Sequence, residues 1–449
     1  MHCNSFQVST KQRRIATLAK QSPEMAFTSL AYLMDLDWLF EAYHQTRKSG
    51  AAGIDGVTAA DYEQDLEGNL RRLLERAKSG NYRAPAVRRV YIPKGTSSTE
   101  VRPIGIPTLE DKILQRAVVM LLEPIYEQDF LDCSYGFRPK RSAHQALESL
   151  WKQSMDIGGG WILEVDIRKF FDDLSPEHLR EFLQHRVRDG VLKKLIHKWL
   201  KAGVMEDGSV SYPDSGSPQG GVISPILSNV FLHYVLDVWF EQEVKPRLGG
   251  HAFLIRFADD FAIGFRHERD ARRVMAVLPK RFEKFGLTIH PEKTCLICFQ
   301  SPSRLAVDPE SEADAKPGTF DLLGLTHYWG QSRQGAWVIK RKTAASRFSR
   351  AISRVAQWCR FNRHLPVSEQ QLKLRQKLHG HYAYYGITGN YAALNRFKFE
   401  VQRCWHKWLN RRNRQRELPW FRFKALLRRY PLPNPRLVKP RLSRSETLI

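Results

Sequence analysis

Residues 254–265 read Leu-Ile-Arg-Phe-Ala-Asp-Asp-Phe-Ala-Ile-Gly-Phe, two adjacent aspartates between two apolar runs. Leu254, Ile255 and Phe257 on one side, and Phe261, Ala262 and Ile263 on the other, have the length and composition of buried strands. The pair Asp259–Asp260 is then expected at the tip of the hairpin that joins them. Aspartate is a favoured turn residue, so the pair could simply make the turn. The other reading is that its carboxylates hold a divalent ion.

A second acidic site lies upstream. The stretch WILEVDIRKFFDDL (161–174) places Asp166 at the end of a hydrophobic strand, with Phe170 and Phe171 just beyond it and Asp172 and Asp173 after them. If both strands belong to one sheet, Asp166 can meet the pair 93 residues later. Clustered carboxylates offer the hard oxygen ligands that Mg²⁺ takes, with water and substrate phosphates completing its octahedron. Two such ions clamp the attacking and leaving oxygens of a phosphoryl displacement.

The charge distribution supports that chemistry. From Lys340 onward the chain carries 27 Lys and Arg against four acids, whereas the first 339 residues carry 44 against 43. Nearly all of the net charge of +24 is therefore in the last quarter, which points to a polyanionic partner, nucleic acid above all. A chain of 449 residues exceeds one ordinary core, so two to four packed units are expected. Six cysteines (3, 133, 295, 298, 359 and 404) form no disulfide framework and suit a reducing compartment. Cys295 and Cys298 make one C-x-x-C without a second pair, which fits buried strand positions better than a metal site. No secretory signal is expected at the N-terminus. The apolar stretch 222–240 is nearly long enough to cross a membrane, but Pro225, Asn229, His233 and Asp237 interrupt it, and an amphipathic core helix is the better reading.

Periodicity predicts helices through the first hundred residues, the extended run VRRVYIP, a polar loop KGTSSTE, and a helix over TLEDKILQRAVVMLLEPIYEQDF. Further helices follow Pro176, the GSPQGG loop and the central hairpin. LTIHPEKTCLICF and FDLLGLTHYW read as extended, and SPSRLAVDPESEADAKPG as a polar, disordered linker. The basic final quarter reads as helical, with Phe348, Ile352, Val355 and Cys359 in one apolar stripe and Arg347, Arg350 and Arg354 on another face. The order is that of an α+β domain followed by a helical unit and a short Pro/Arg-rich tail.

The ordered motifs resemble a reverse transcriptase, most closely the reverse transcriptase/maturases encoded by group II introns. They are YIPK (91–94), RPIGIPTLEDKILQRAV (102–118), SYGFRPKRSAHQAL (134–147), LEVDIRKFFDDL (163–174), GSPQGGVISPILSN (216–229), RFADDFAIG (256–264), HPEKT (290–294) and LLGL (322–325). QQLKLRQKLHGHYAYYGITGNY (370–391) resembles the family's thumb, and RYPLPNPRL (429–437) the end of its DNA-binding segment. The resemblance implies a right-hand polymerase: N-terminal extension and fingers helices over 1–85, fingers and palm over 86–335, a helical thumb or maturase domain over 336–411, and a basic DNA-binding segment over 412–449.

It also implies a set of roles. Asp166 and Asp259 would bridge two Mg²⁺ ions, replaceable by Mn²⁺, with the backbone carbonyl of Ile167 as a further ligand and Asp260 ligating less directly. Lys94 and Arg102 would hold the incoming triphosphate, one as a point charge and one as a planar fork. Phe171 would block a 2′-hydroxyl, Gln219 would contact the nucleotide and position the template pair, and Lys293 would sit where some polymerases keep a proton donor for pyrophosphate. Each residue has a plainer reading: Phe170 or Phe171 as core, Gln219 as a turn residue, Lys94 as a solvated lysine, Asp172 or Asp173 as a helix N-cap, and His233 and His290 as structural.

Phe257 stands where tyrosine is commoner in the family, and after PLPNPRL there is neither a paired C-x-x-C nor a His-Asn-His cluster, so the appended nuclease of some relatives is not expected. The resemblance implies RNA-directed DNA polymerisation and binding of a group II intron RNA, with a DNA primer or target and dNTPs as partners, in a cytoplasmic bacterial ribonucleoprotein and without a membrane. The alternatives are an RNA-binding maturase whose polymerase site is vestigial, and a related enzyme used in antiphage defence, spacer acquisition or DNA repair. The oligomeric state is not legible in the sequence.

Overall fold

Arg256 lies one residue from the end of the strand Ala252–Phe257 and is completely buried. A guanidinium without water must be paired and hydrogen-bonded or it destabilises the fold severely. Its Nε and Nη2 donate to the two carboxylate oxygens of Asp237 at 2.7 and 2.6 Å, Nη2 also to Ser134 Oγ at 2.8 Å, and Nη1 to Asn229 Oδ1 at 3.0 Å and to the Ala258 carbonyl at 3.1 Å. The partners come from three separate stretches of chain, so this one side chain ties the hairpin to what surrounds it.

The computed structural model describes residues 5–93, 101–206, 209–211, 220–305, 317–412 and 417–438. Lys94, Gln219, the loop 94–100 and most of the polar linker (306–316) lie outside the described residues. A four-stranded sheet runs in the order Cys295–Cys298, Trp161–Val165, Asp260–Phe265, Ala252–Phe257. A second has the order Val101–Ile106, Val87–Pro93, Val204–Glu206, Ser209–Ser211. Ile167–Arg168 pairs with Thr288–Ile289 in a two-stranded ladder, and Phe320–Leu322, Leu325–Gln331 and Trp337–Thr343 form an antiparallel three-stranded sheet.

The chain divides into two compact units. The first comprises residues 1–142, 163–263 and 269–295, and the second 143–162, 264–268 and 296–449. In the first, the long helix Leu109–Asp129 is central, capped by Thr108, whose Oγ1 accepts from the Asp111 amide. Asp111 is buried and accepts from Tyr82 Oη, Trp199 Nε1 and Gln115 Nε2; burial still pushes its carboxyl up to about 6. In the second unit, Val355, Cys359, Leu374, Leu378, Leu394 and Trp405 are among the buried core of a helical bundle built from Ala345–Phe361, Val367–Tyr385 and Tyr391–Asn410. Phe348 and Ile352 pack against that core, so the apolar stripe read in the sequence faces inward. The proline-rich segment after the helix Trp420–Arg429 crosses this bundle. Its Pro431 and Pro433 carbonyls accept from Gln371 Nε2 and Tyr382 Oη, Asn434 accepts from Lys398, and the Val438 amide donates to the Gly386 carbonyl.

Several expectations are corrected. The turn of the central hairpin is Ala258–Asp259, and Asp260 opens the second strand. The register is displaced by one residue because Ala258 takes the left-handed conformation, with φ at +58°. The stretch 222–240 is not amphipathic: Ser224–Leu232 is α-helical, His233–Asp237 and Trp239–Val244 are π-helical, and nearly every side chain through Phe240 is buried. The polar residues that interrupt it, Asn229 and Asp237, are the partners of Arg256. Cys295 and Cys298 do lie on a strand, but Cys295 is exposed and Cys298 half-buried. The basic final quarter begins as strand, Trp337–Thr343, and becomes helical only at Ala345. Ser175 caps the helix Pro176–Arg186, its Oγ accepting from the His178 amide.

Removing one member of a buried ion pair costs about 3–5 kcal/mol because the other stays charged and unpaired. Asp237→Ala should therefore lower the urea midpoint by an amount of that order, and Asp237→Leu combined with Arg256→Met should recover most of the loss. A cost below about 1 kcal/mol for Asp237→Ala would show that the guanidinium finds other partners.

Candidate active site

The site is assembled by backbone geometry before any side chain acts. Strand Trp161–Val165 lies next to Asp260–Phe265 in the sheet, so Asp166, which follows the first, and Asp259, which precedes the second, are delivered to neighbouring strand ends. The Asp166 carbonyl accepts from the His290 amide at 2.8 Å, and its own amide faces Thr294 Oγ1 at 3.5 Å. Ile167 is buried and registered against Ile289.

On the other side, the segment 133–136 runs beside the hairpin. The Arg256 amide donates to the Cys133 carbonyl at 2.8 Å and the Tyr135 amide to the Arg256 carbonyl at 2.9 Å. Gly136 is pressed against the turn: a Cβ there would stand 2.3 Å from the Ala258 nitrogen. No other residue type fits without moving the turn. Ala258 itself carries the cost of a left-handed residue with a Cβ, on the order of 1–2 kcal/mol, and its carbonyl is held by Arg256.

Electrostatically, Asp166 and Asp259 share one environment. Burial raises the Asp259 carboxyl above its ordinary range; a backbone hydrogen bond and the Arg102 charge pull it down, and the Asp166 carboxylate pushes it up again. Lys293 Nζ lies 3.0 Å from Asp166 Oδ2 and supplies a counter-charge there. Asp260 is exposed. Among the described residues no three His, Cys, Asp or Glu side chains gather as a ready metal-binding group. Asp166 and Asp259 are brought together electrostatically, Asp166 is engaged by Lys293, and Asp260 stands at the edge. The donor set is all hard oxygen, and a carboxylate whose proton affinity is raised by burial and by a neighbouring carboxylate is one that a divalent cation relieves.

The remaining expected residues divide between buried and open positions. Phe170 is buried against Phe231, whereas Phe171, 5.2 Å from it between ring centroids, is only half-buried. Lys169 just before them has φ at +44°, a left-handed turn that starts the short helix Phe170–Asp173. Arg102 is exposed at the start of the strand Val101–Ile106, and its charge reaches Asp259. The sequence reading marked Asn229 and Asp237 only as interruptions of an apolar stretch and assigned no role to Arg256, Ser134 or Gly136; these five residues position the hairpin. A signal was present: an arginine inside an apolar strand must be paired, and Asn229 and Asp237 stand two turns apart on one apolar helix.

Comparison with known proteins places the site within a matched region. The family model described as reverse transcriptase (RNA-dependent DNA polymerase) matches residues 92–327. The chain is 40% identical over 233 residues to "Protein YkfC" of Escherichia coli, covering 50% of this chain and 61% of the relative. It is 36% identical over 243 residues to the group II intron-encoded protein LtrA of Lactococcus lactis, covering 52% and 40%. A shorter match, 30% over 111 residues, links it to the mitochondrial nuclear intron maturase 1 of Arabidopsis thaliana, covering 24% and 15%. The matched region thus spans at most 61% of the length of these relatives. No described helix is long and apolar enough to cross a membrane.

A proton and a divalent cation compete for Asp259, whose carboxyl is held above its ordinary range. Mn²⁺ affinity, measured by electron paramagnetic resonance, should weaken as pH falls through that raised value, about tenfold per unit for one displaced proton. Asp259→Asn should bind Mn²⁺ more weakly and with a flatter pH dependence; an unchanged slope would remove Asp259 from the site.

Proposed function

This chain belongs to the reverse transcriptase (RNA-dependent DNA polymerase) family, and from that premise we propose that it is an RNA-directed DNA polymerase of the group II intron type that also binds its intron RNA as a maturase. The observation that carries the reading is the electrostatic coupling of Asp166 to Asp259 at adjacent strand ends, with Lys293 and Arg102 supplying positive charge around them.

The family works with divalent metal ions, and two Mg²⁺ ions, replaceable by Mn²⁺, would supply charge neutralisation and orientation of the reacting oxygens. Asp166 and Asp259 would hold them, with the Ile167 carbonyl as a further ligand and Asp260 in a less direct role. In the reaction the primer 3′-oxygen bonds to the α-phosphorus of a dNTP, the bond from that phosphorus to the β-phosphate oxygen breaks, and pyrophosphate leaves. Arg102 presents a planar fork to the triphosphate and Lys94 a point charge. Phe171, half-buried beside Phe170, presents its ring to the sugar and excludes a 2′-hydroxyl. Gln219 positions the template pair. Lys293 neutralises Asp166 and stands ready to protonate the departing pyrophosphate.

The domain assignment follows the same reading: N-terminal extension and fingers helices over 1–85, fingers and palm over 86–335, thumb or maturase domain over 336–411, and DNA-binding segment over 412–449. The partners are an RNA template, in the first place a group II intron RNA, a DNA primer or target, and dNTPs, within a cytoplasmic ribonucleoprotein. The relatives named for group II introns and for intron maturation support this, as does the concentration of positive charge beyond Lys340.

Asp259→Ala should abolish primer extension on an RNA template, while RNA affinity stays within about threefold, since one carboxylate contributes little to a phosphate-dominated contact; surviving extension would refute the assignment. Phe171→Ala should raise ribonucleotide incorporation relative to deoxynucleotides, and an unchanged ratio in single-nucleotide extension would refute the steric gate.

A further inference from the structure

The first unit holds a cavity of about 390 Å³ between the helices Pro176–Arg186 and Gly190–Leu200. It is lined by Arg180, Leu183, Gln184, Gly190, Lys193, Lys194, Ile196 and His197, with no acidic side chain among them. None of these residues belongs to the polymerase site. The stretch 180–201 carries seven Lys and Arg against two acids, within a part of the chain that is otherwise close to neutral.

The fold accounts for some of those charges and leaves others over. Arg186 is buried and donates to the carbonyls of Ala19, Ser22 and Met25, and Lys198 Nζ donates to the carbonyls of Gly80 and Tyr82. Of the acids, Asp189 is taken up as the N-cap, accepting from the amides of Val191, Leu192 and Ala31, and Glu181 faces His178. Lys193 and Lys194 are exposed at the cavity with no structural task of that kind. His197 lies beside them with its Nδ1 buried and unpartnered. Burial, and after it the charges of Lys201 and Arg180, hold its imidazole below the usual range.

We propose that this cavity is a phosphate-binding site for the backbone of a structured RNA, a contact on the first unit separate from the polymerase residues. Lys193, Lys194 and Arg180 supply cations around a concave surface large enough to take a phosphodiester, and the His197 ring forms part of its wall. The proposal rests on the RNA-binding reading above, but its test does not depend on polymerase activity.

Two variants separate binding from folding. Lys193→Gln with Lys194→Gln removes two cations from exposed positions. Gly190→Glu places a carboxylate at the cavity rim, where a Cβ meets nothing within 4 Å, and an acid in the first turn of a helix is favourable to folding. With the full chain and a structured intron-type RNA, each variant should weaken binding about three- to tenfold and make the log–log salt slope less steep by about one to two. Thermal unfolding and extension of a saturating template–primer should stay unchanged. In the wild-type chain the His197 ring resonances should shift on adding that RNA, and far less on adding inorganic phosphate at equal phosphate concentration. Unchanged affinity and slope in both variants would overturn the proposal, as would a His197 response to inorganic phosphate equal to that produced by RNA.

Discussion

A buried guanidinium sets the position of everything at the candidate site. Arg256 has no water to solvate it, so the geometry of its five donors is fixed by protein acceptors alone: both oxygens of Asp237, Asn229, Ser134 and the Ala258 carbonyl. Such a network is costly to assemble and severely penalised when incomplete. It therefore admits one placement of the hairpin turn, and with it one placement of Asp259. The close approach of Gly136 to the Ala258 nitrogen adds a steric limit to the electrostatic one. The turn is held from one side by charge and from the other by contact.

That arrangement lets a carboxylate be partly buried and still available. Asp259 is desolvated enough for its proton affinity to rise, while Asp166 remains open enough to meet Lys293. Asp259 is thus a group that a cation can satisfy better than water does. A site satisfied wholly by internal hydrogen bonds would be more stable and chemically inert.

Much of this was legible in the residues, and the limits have physical causes. Two apolar runs flanking Asp259 and Asp260 announced a hairpin, and the strand ending at Asp166 announced its partner, because strand periodicity and burial leave a clear mark on composition. The one-residue displacement of the turn was not legible, since nothing in the side chain of Ala258 announces a left-handed backbone. The strand Trp337–Thr343 was missed for a related reason: its Lys340, Arg341 and Lys342 read as part of a basic helix, yet Arg341 is buried and pairs with Glu148 across nearly two hundred residues of sequence. Long-range pairing of that kind overrides local propensity. Lys94 and Gln219 stand on motif alone.

The proline-rich segment laid across the helical bundle carries a mechanical implication. Fastened at Gln371, Tyr382, Gly386 and Lys398, it is anchored to the helices Val367–Tyr385 and Tyr391–Asn410 and to the turn between them. A nucleic acid gripping it would load those helices directly, as a rope tied to a mast loads the mast. Those helices also carry Leu378 and Leu394 of the bundle core, so the segment and the core share one support.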